Sequence, residues 1–305
     1  SAYKHKDASI DYEIVFVGIK SKIEEFLKKS DVGALKYSIF HADEVVEMTD
    51  DPSIALKTKK NSSLYKGLEL LKNKEVDAFL SSGNTGAVMS TSTILLGRIK
   101  GVSRPTIGTF FPAKQDRPVF ILDVGATVDQ KARFLLEYAV MGSIYFNQAY
   151  KEASPKIGLL NVGEESSKGT DEIKSAYQLL KNSNLNFIGN VEGRDIFNAT
   201  ADVVVCDGFT GNIILKFAES FLGLLKHKIK NYADKGIFNK AKVGLMLPTL
   251  KDILTDLDYQ QYGGVPLLGV NGIVIIGYGK STPLSVQNMI FRAHQVIKLK
   301  IINKI

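Results

Sequence analysis

A single cysteine, Cys206, and no tryptophan occur among 305 residues. One cysteine excludes a disulfide framework and a Cys-rich metal site, and it suits a reducing cytosol. Histidine is also sparse. His5, His41, His227 and His294 lie far apart, and none falls at a glycine turn. A Ser-His-Asp catalytic set therefore has little support. The chain lacks a G-x-S-x-G elbow, an H-E-x-x-H helix and a G-x-G-x-x-G after a strand. Serine hydrolase, zincin and dinucleotide readings fall away with them. No apolar run is long enough to span a bilayer. The opening SAYKHKDASIDYE lacks the apolar centre of a signal peptide. Low-complexity linkers and long sequence repeats are absent too.

What is present is ordinary globular material, 45% hydrophobic and 23% charged, with ample length for a core. The net charge of +7 favours acidic partners such as phosphate substrates, an acidic protein or an anionic membrane. Its lysines are scattered and no nucleic-acid motif accompanies them, so nucleic acid is not expected as a partner.

The stretch the rest is organised around is Val203 to Lys216, VVVCDGFTGNIILK. Val203 to Val205 predict a buried parallel strand. Asp207, Gly208, Phe209, Thr210 and Gly211 break the run. From Asn212, Ile214, Phe217, Ala218, Phe221, Leu222, Leu225 and Ile229 fall at helical steps. A strand, a glycine-bearing turn and a helix start make an anion site, because unpaired N–H groups and the helix dipole face the turn. The bland alternative is an ordinary βα turn. Cys206 sits inside the β run, where a buried inert thiol is commoner than a nucleophile.

Similar units recur along the chain. Strands are expected at Tyr12–Val17, Tyr37–His41, Val76–Leu80, Val119–Asp123, Ile157–Asn161 and Leu185–Gly189. Pro52 behind Asp50 and Asp51 marks a helix start, and Leu64, Leu68 and Leu71 stripe the next helix. After Val76–Leu80 comes the polar turn Ser82, Gly83, Asn84, Thr85, Gly86 and a helix, a second unit that could share a crevice with the first. Helices are expected over Lys131–Tyr150 and Asp171–Leu180. GEESSKGT resembles a P-loop, but its order is Lys168-Gly169-Thr170, so the lysine is not on the first helical turn and an ATPase is rejected. Lys168 is left as an anion contact or a solvated lysine. Arg194-Asp195 is an ion pair or a helix-start device.

A helix from Asn212 to about Tyr232 precedes an amphipathic segment at 240–256, which Gly244 and Pro248 interrupt, so a bent hairpin tip is expected there. Leu245, Met246 and Leu247 among lysines suit an anionic membrane surface, or else a dimer core. The apolar surplus at Phe217, Phe221, Leu224, Leu225 and Ile229 predicts a homodimer. Asn271-Gly272 joins two β-rich runs and favours a type I′ hairpin. Strand–turn–helix units plus one hairpin predict an α/β fold, a three-layer αβα sandwich with a mostly parallel sheet and an antiparallel hairpin.

One reaction needs none of the missing groups. Inorganic phosphate is already an anionic nucleophile, and a thiolate leaves a thioester with little acid help. The protein then has only to bind phosphate, orient the carbonyl and stabilise the oxyanion.

SSGNTGAVM, LDVGATVDQKARFLLEYAVMGSIY, LLNVGEESSKGT, NFIGNVEGRDIFNATADVVVCDGFTGN and YGGVPLLGVNG closely resemble the bacterial acyl-ACP:phosphate acyltransferase family, PlsX. The resemblance covers about Glu13 to Ala293 and implies an isopropylmalate dehydrogenase-like fold, one domain over 1–305 with a protruding helical segment at about 212–256. It implies acyl transfer from acyl carrier protein to inorganic phosphate for phospholipid synthesis, with no cofactor and no metal. The enzyme would be cytoplasmic and peripherally membrane-associated, its product passing to a membrane acyltransferase. Lys168 and Asn212 look like the catalytic pair. Ser82, Gly83, Asn84, Thr85 and Gly86, with Asp207, Gly208, Thr210 and Gly211, look like the phosphate and acyl-phosphate crevice, with the N–H groups of Gly211 and Gly83 completing the cradle. Two departures stand out. The family's opening strand and DAMGGD motif are not among these residues, through truncation or absence of that segment. Thr127 replaces the usual asparagine after DVGA. A short-chain acyl-CoA donor and a non-catalytic acyl-carrier or membrane scaffold are the alternative readings.

Overall fold

The computed structural model describes residues 11–114, 117–127, 130–256, 264–277 and 281–305. Tyr262-Gly263 and Val128-Asp129 of the motifs above, and the side chain of Leu254, lie outside the described residues.

The chain opens with β1 (Glu13–Gly18), α1 (Lys20–Lys28) and β2 (Lys36–His41). β1 and β2 pair in parallel as a separate two-stranded sheet. Next come α2 (Pro52–Thr58) and α3 (Ser63–Lys72). Pro52 does open α2, because its missing N–H falls where a helix has no internal acceptor. Asp51 caps it by accepting from Ser53 and Ile54 N–H at 2.8 and 3.0 Å.

The other strands are β3 (Ala78–Ser81), β4 (Thr106–Phe111), β5 (Val119–Leu122), β6 (Ile157–Leu160), β7 (Phe187–Val191), β8 (Val203–Val205), β9 (Val265–Leu268) and β10 (Ile273–Ile276). They form one sheet in the order β3-β10-β9-β4-β5-β8-β6-β7. The accompanying helices are α4 (Thr85–Leu96), α5 (Ala132–Tyr150), α6 (Asp171–Lys181), α7 (Gly193–Asn198), α8 (Gly208–Ala233), α9 (Ile237–Asp256) and α10 (Pro283–Lys298). On one face of the sheet, Leu64, Leu68, Val88 and Leu215 pack onto Ile121, Val204 and Val274. On the other, Leu135, Tyr138, Phe146 and Leu180 pack onto Phe120, Leu122 and Val203. Both faces are covered, which is why β5, β8 and β6 are fully buried and read as continuous apolar runs.

Four features depart from the sequence reading. β4 had no counterpart, since Thr106, Gly108 and Thr109 break its apolar run, yet every one of its residues is buried. Gly108 is there because a methyl group would come within 2.4 Å of the Phe120 ring. α8 begins at Gly208 and not at Asn212, so GFTG is helix and not turn. α9 continues through Pro248 as one element instead of breaking there; together with α8 it forms a helical hairpin. Finally, a type I′ turn needs positive φ at both central residues, and neither Asn271 nor Gly272 has it; the positive φ falls on Gly269, at 93°. Asn271 instead donates its side-chain amide to the carbonyls of Leu96 and Arg98 at 3.4 and 3.0 Å.

Strand direction decides where function can sit. β5, β8, β6 and β7 are mutually parallel, so the loops after them leave the sheet at one edge. β3 is parallel to β10, but β10–β9, β9–β4 and β4–β5 are all antiparallel. Three reversals turn β3 against β5, so the loop after β3 leaves at the opposite edge.

Candidate functional site

The edge at the C-terminal ends of four neighbouring parallel strands is where an open α/β sheet holds its ligands. Three segments leave the sheet at that edge: residues 123–127 after β5, the loop 161–170 after β6, and the start of α8 after β8.

Asp207 caps α8. One of its carboxylate oxygens accepts from Thr210 N–H at 2.8 Å and the other from the Thr210 hydroxyl at 2.6 Å. Gly211 N–H donates to the Asp207 carbonyl at 2.9 Å, the first ordinary helical bond. Gly211 is thus no free donor, contrary to the sequence reading. Gly208 and Phe209 supply the remaining first-turn N–H groups, which have no intrahelical acceptor. Asn212 is half-buried at the same helix end and lies against Gly125, where a methyl group would stand 3.4 Å from its side chain.

Lys168 is exposed, and no carboxylate pairs with it among the described residues. Its loop is pinned by two asparagines. Asn161 donates to the Lys168 carbonyl at 3.1 Å and accepts from Val162 N–H at 2.8 Å. Asn190 donates to the Glu165 carbonyl at 2.9 Å. The nearby Arg194 pairs with Glu192 at 3.1 Å and Glu164 at 3.8 Å, while Asp195 closes the capping box of α7. Arg194-Asp195 is therefore a helix-start device and not a pair with itself.

Asp123 was not singled out from the sequence. It is buried at the end of β5, and burial pushes its carboxyl up to about 6 even though N–H groups of Ala126, Ile107, Thr127 and Gly125 pull it down. Cys206 is buried beside it. Burial, with Asp123 and Asp207 nearby, raises its thiol well above the ordinary range, which fits an inert structural thiol. Thr127 faces inward, its hydroxyl 3.3 Å from that of Tyr138.

The segment Ser82–Gly86 is at the other edge, engaged in packing. Gly83 N–H donates to the Ser81 hydroxyl at 3.2 Å, so it is not free. Asn84 caps α4 through Ala87 N–H at 3.0 Å and donates to the carbonyls of Glu47, Met48 and Asp50. The Ser82 and Ser281 hydroxyls meet at 3.0 Å. Thr85 opens α4, and Gly86 abuts Pro52. The two glycine-bearing units thus follow strands of opposite sense. Lys168 and the segment Asp207–Asn212 follow two neighbouring parallel strands, β6 and β8.

Comparison with known proteins agrees with this architecture. A family model described as "Fatty acid synthesis protein" matches residues 2–304. A phosphate acyltransferase of Dictyoglomus thermophilum is 43% identical over 96% of this chain and 87% of its own length. That of Desulfitobacterium hafniense is 44% identical over 97% and 88%. Among solved structures, a phosphotransacetylase from Streptococcus pyogenes superposes with a TM-score of 0.58 at 16% identity, covering 94% of each chain. The EutD phosphotransacetylase of Staphylococcus aureus gives 0.57 at 16% identity, over 96% of this chain and 89% of that one. At that identity the likeness concerns the fold. With the family model spanning nearly every residue and curated relatives above 40% identity, the chain belongs to the phosphate acyltransferase (PlsX) family.

Proposed function

We propose that the protein transfers a long-chain fatty acyl group from acyl carrier protein to inorganic phosphate, giving an acyl phosphate for phospholipid synthesis. The observation that carries this reading is an unpaired lysine, Lys168, on the same sheet edge as the start of α8. A phosphate oxygen attacks the thioester carbonyl, a C–O bond forms, the C–S bond breaks, and the thiolate departs. Lys168 offsets phosphate charge. Asn212 donates to phosphate or to the oxyanion, and the first-turn N–H groups of α8 stabilise the same charge. No described residue is placed as a general acid, and a leaving thiolate needs none. The donor is tested by supplying the same acyl chain on acyl carrier protein and on coenzyme A. Acyl phosphate should form much faster from the carrier protein. Equal or faster turnover of a short acyl-CoA would move the protein to the phosphotransacetylase reaction.

The α8–α9 hairpin supports two partner readings. Phe217, Phe221 and Leu224 on α8 are exposed, and a second copy of the chain would cover them. Farther out, Ile237, Phe238 and Leu245 are 81%, 82% and 85% exposed, with Met246 and Leu247 also outward. Lys235, Lys240 and Lys242 stand among them. Apolar side chains ringed by lysines fit the headgroup region of an anionic bilayer. None of the described helices is long and apolar enough to cross one. Replacing Leu245 and Leu247 with glutamate should abolish sedimentation with anionic vesicles while leaving activity and the light-scattering mass unchanged. Loss of the dimer in that variant would assign the tip to subunit contact instead.

A further inference from the structure

Beneath the first turn of α8 lies a carboxylate that the acyl-transfer chemistry does not use. Asp123 is 0% exposed. Its Oδ1 accepts from the backbone N–H groups of Ile107, Gly125 and Ala126 at 3.4, 3.2 and 2.9 Å, and its Oδ2 accepts from Thr127 N–H at 2.8 Å. These bonds wrap residues 123–127 into a tight turn. α8 rests directly on that turn. A methyl group at Gly211 would lie 1.8 Å from the Asp123 carbonyl oxygen, and one at Gly208 would lie 2.4 Å from the Thr127 carbonyl and 2.7 Å from Asp123 Oδ2. The Cys206 thiol donates to the same Asp123 carbonyl at 3.3 Å. Gly125, inside the turn, touches Asn212.

We propose that Asp123 is a positioning residue: its ionised carboxylate holds the 123–127 turn as the bed for the first turn of α8, and thereby sets where Asn212 meets the substrate. The inference rests on the acyl-transfer reading of this edge.

Ionisation matters because, among the described residues, every partner of the carboxylate is an N–H donor. A proton on either oxygen would make that oxygen a donor facing another donor. Among the described residues Thr127 is the one partner of Oδ2, and the Thr127 backbone is what Gly208 rests on. Loosening there passes to the start of α8. Among the described residues, the ionisable groups around Asp123 are Tyr138 on α5, whose hydroxyl burial and Asp123 push up to about 12, Cys206 after β8, Asp207 capping α8, and the more distant Arg104 before β4. Tyr138 and Cys206 stay neutral across the acidic range.

Two opposite pH trends follow. The folded-state carboxyl titrates above its ordinary value of 3.8, at about 6. The folded protein therefore keeps a proton that the unfolded chain has released, and stability from this group is lost as pH rises through that window. Positioning of Asn212 is gained over the same window. Activity and stability thus change in opposite senses, which a purely structural role does not produce.

The test compares wild-type protein with Asp123→Asn, assaying acyl phosphate formation from a long-chain acyl carrier protein thioester at saturating inorganic phosphate. At pH 7.5, kcat should fall by about ten- to a hundredfold, the cost of a misplaced group, with KM for the thioester unchanged. The acidic limb near pH 6 should disappear in the variant, while the limb from phosphate's own ionisation remains in both. The melting temperature of wild type relative to the variant should decline from pH 4 to pH 6. Unchanged kcat and an unchanged acidic limb would overturn the inference. An inactive wild-type protein would instead overturn the acyl-transfer reading. Should the variant not fold, a carboxyl carbon NMR titration of the wild type decides. A buried aspartate titrating with the acidic limb of kcat supports the role, and none titrating between pH 5 and pH 7 refutes it.

Discussion

Lys168→Ala and Asn212→Ala are each expected to lower kcat for acyl phosphate formation by about 10²–10³ while the protein stays folded. Both side chains belong to segments at the parallel edge, and among the described residues neither makes a hydrogen bond or ion pair within the protein. Lys168 is exposed, and its loop is held through backbone carbonyls by Asn161 and Asn190, so truncating the lysine leaves that scaffold in place. Asn212 lies one turn into α8, after the helix has already been capped by Asp207. Neither substitution opens a core cavity, so melting temperatures should move little. The two losses should also differ in kind. Removing Lys168 takes away charge that meets phosphate in the ground state as well, so KM for phosphate should rise together with the fall in kcat. Removing Asn212 should act mainly on kcat if its amide meets the developing oxyanion. Steady-state kinetics varying phosphate at fixed thioester reads both. Near-wild-type turnover in either variant would remove that residue from the mechanism.

The second large effect is on stability. Gly211→Ala should destabilise the protein by about 3 kcal/mol or more, because the new methyl group meets the Asp123 carbonyl at 1.8 Å and backbone on both sides would have to separate. The displaced element is the start of α8, so activity should vanish along with stability. Gly223→Ala, on the same helix but with nothing within 4 Å of the added methyl, should stabilise by about 0.5–1 kcal/mol through helix propensity. Denaturant midpoints of the two variants give the comparison. Equal and small shifts would mean that α8 does not sit on Asp123 as described.

Much of this architecture was legible in the residues. Val203–Val205 announced a buried parallel strand, and Val119–Asp123 a strand, because both faces of the sheet are covered, leaving no polar alternation to confuse the pattern. Pro52 and Asp51 marked a helix start through the chemistry of unpaired N–H groups. Other features depended on tertiary context. β4 is hidden by its threonines and by Gly108, whose smallness answers to the Phe120 ring across the sheet. Glycines at 208 and 211 look like a turn but are helix, tolerated there because α8 approaches Asp123 and Thr127 too closely for any side chain. That Ser82–Gly86 and Asp207–Asn212 leave opposite edges follows from strand order, which no local pattern encodes. Asp123 carries a local signal of its own: a lone acid ending an apolar strand, followed by Val-Gly-Ala-Thr, supplies a carboxylate and, from Gly125, Ala126 and Thr127, N–H groups to satisfy it.

The proposed acyl transfer to inorganic phosphate, at the edge that holds Lys168 and the start of α8, is read by incubating the purified protein with a long-chain acyl carrier protein thioester and inorganic phosphate, then trapping product with hydroxylamine. Acyl hydroxamate should accumulate in proportion to released carrier thiol, saturate with phosphate, and fall to near background in Lys168→Ala. Thiol release that is independent of phosphate and yields only free fatty acid would contradict it.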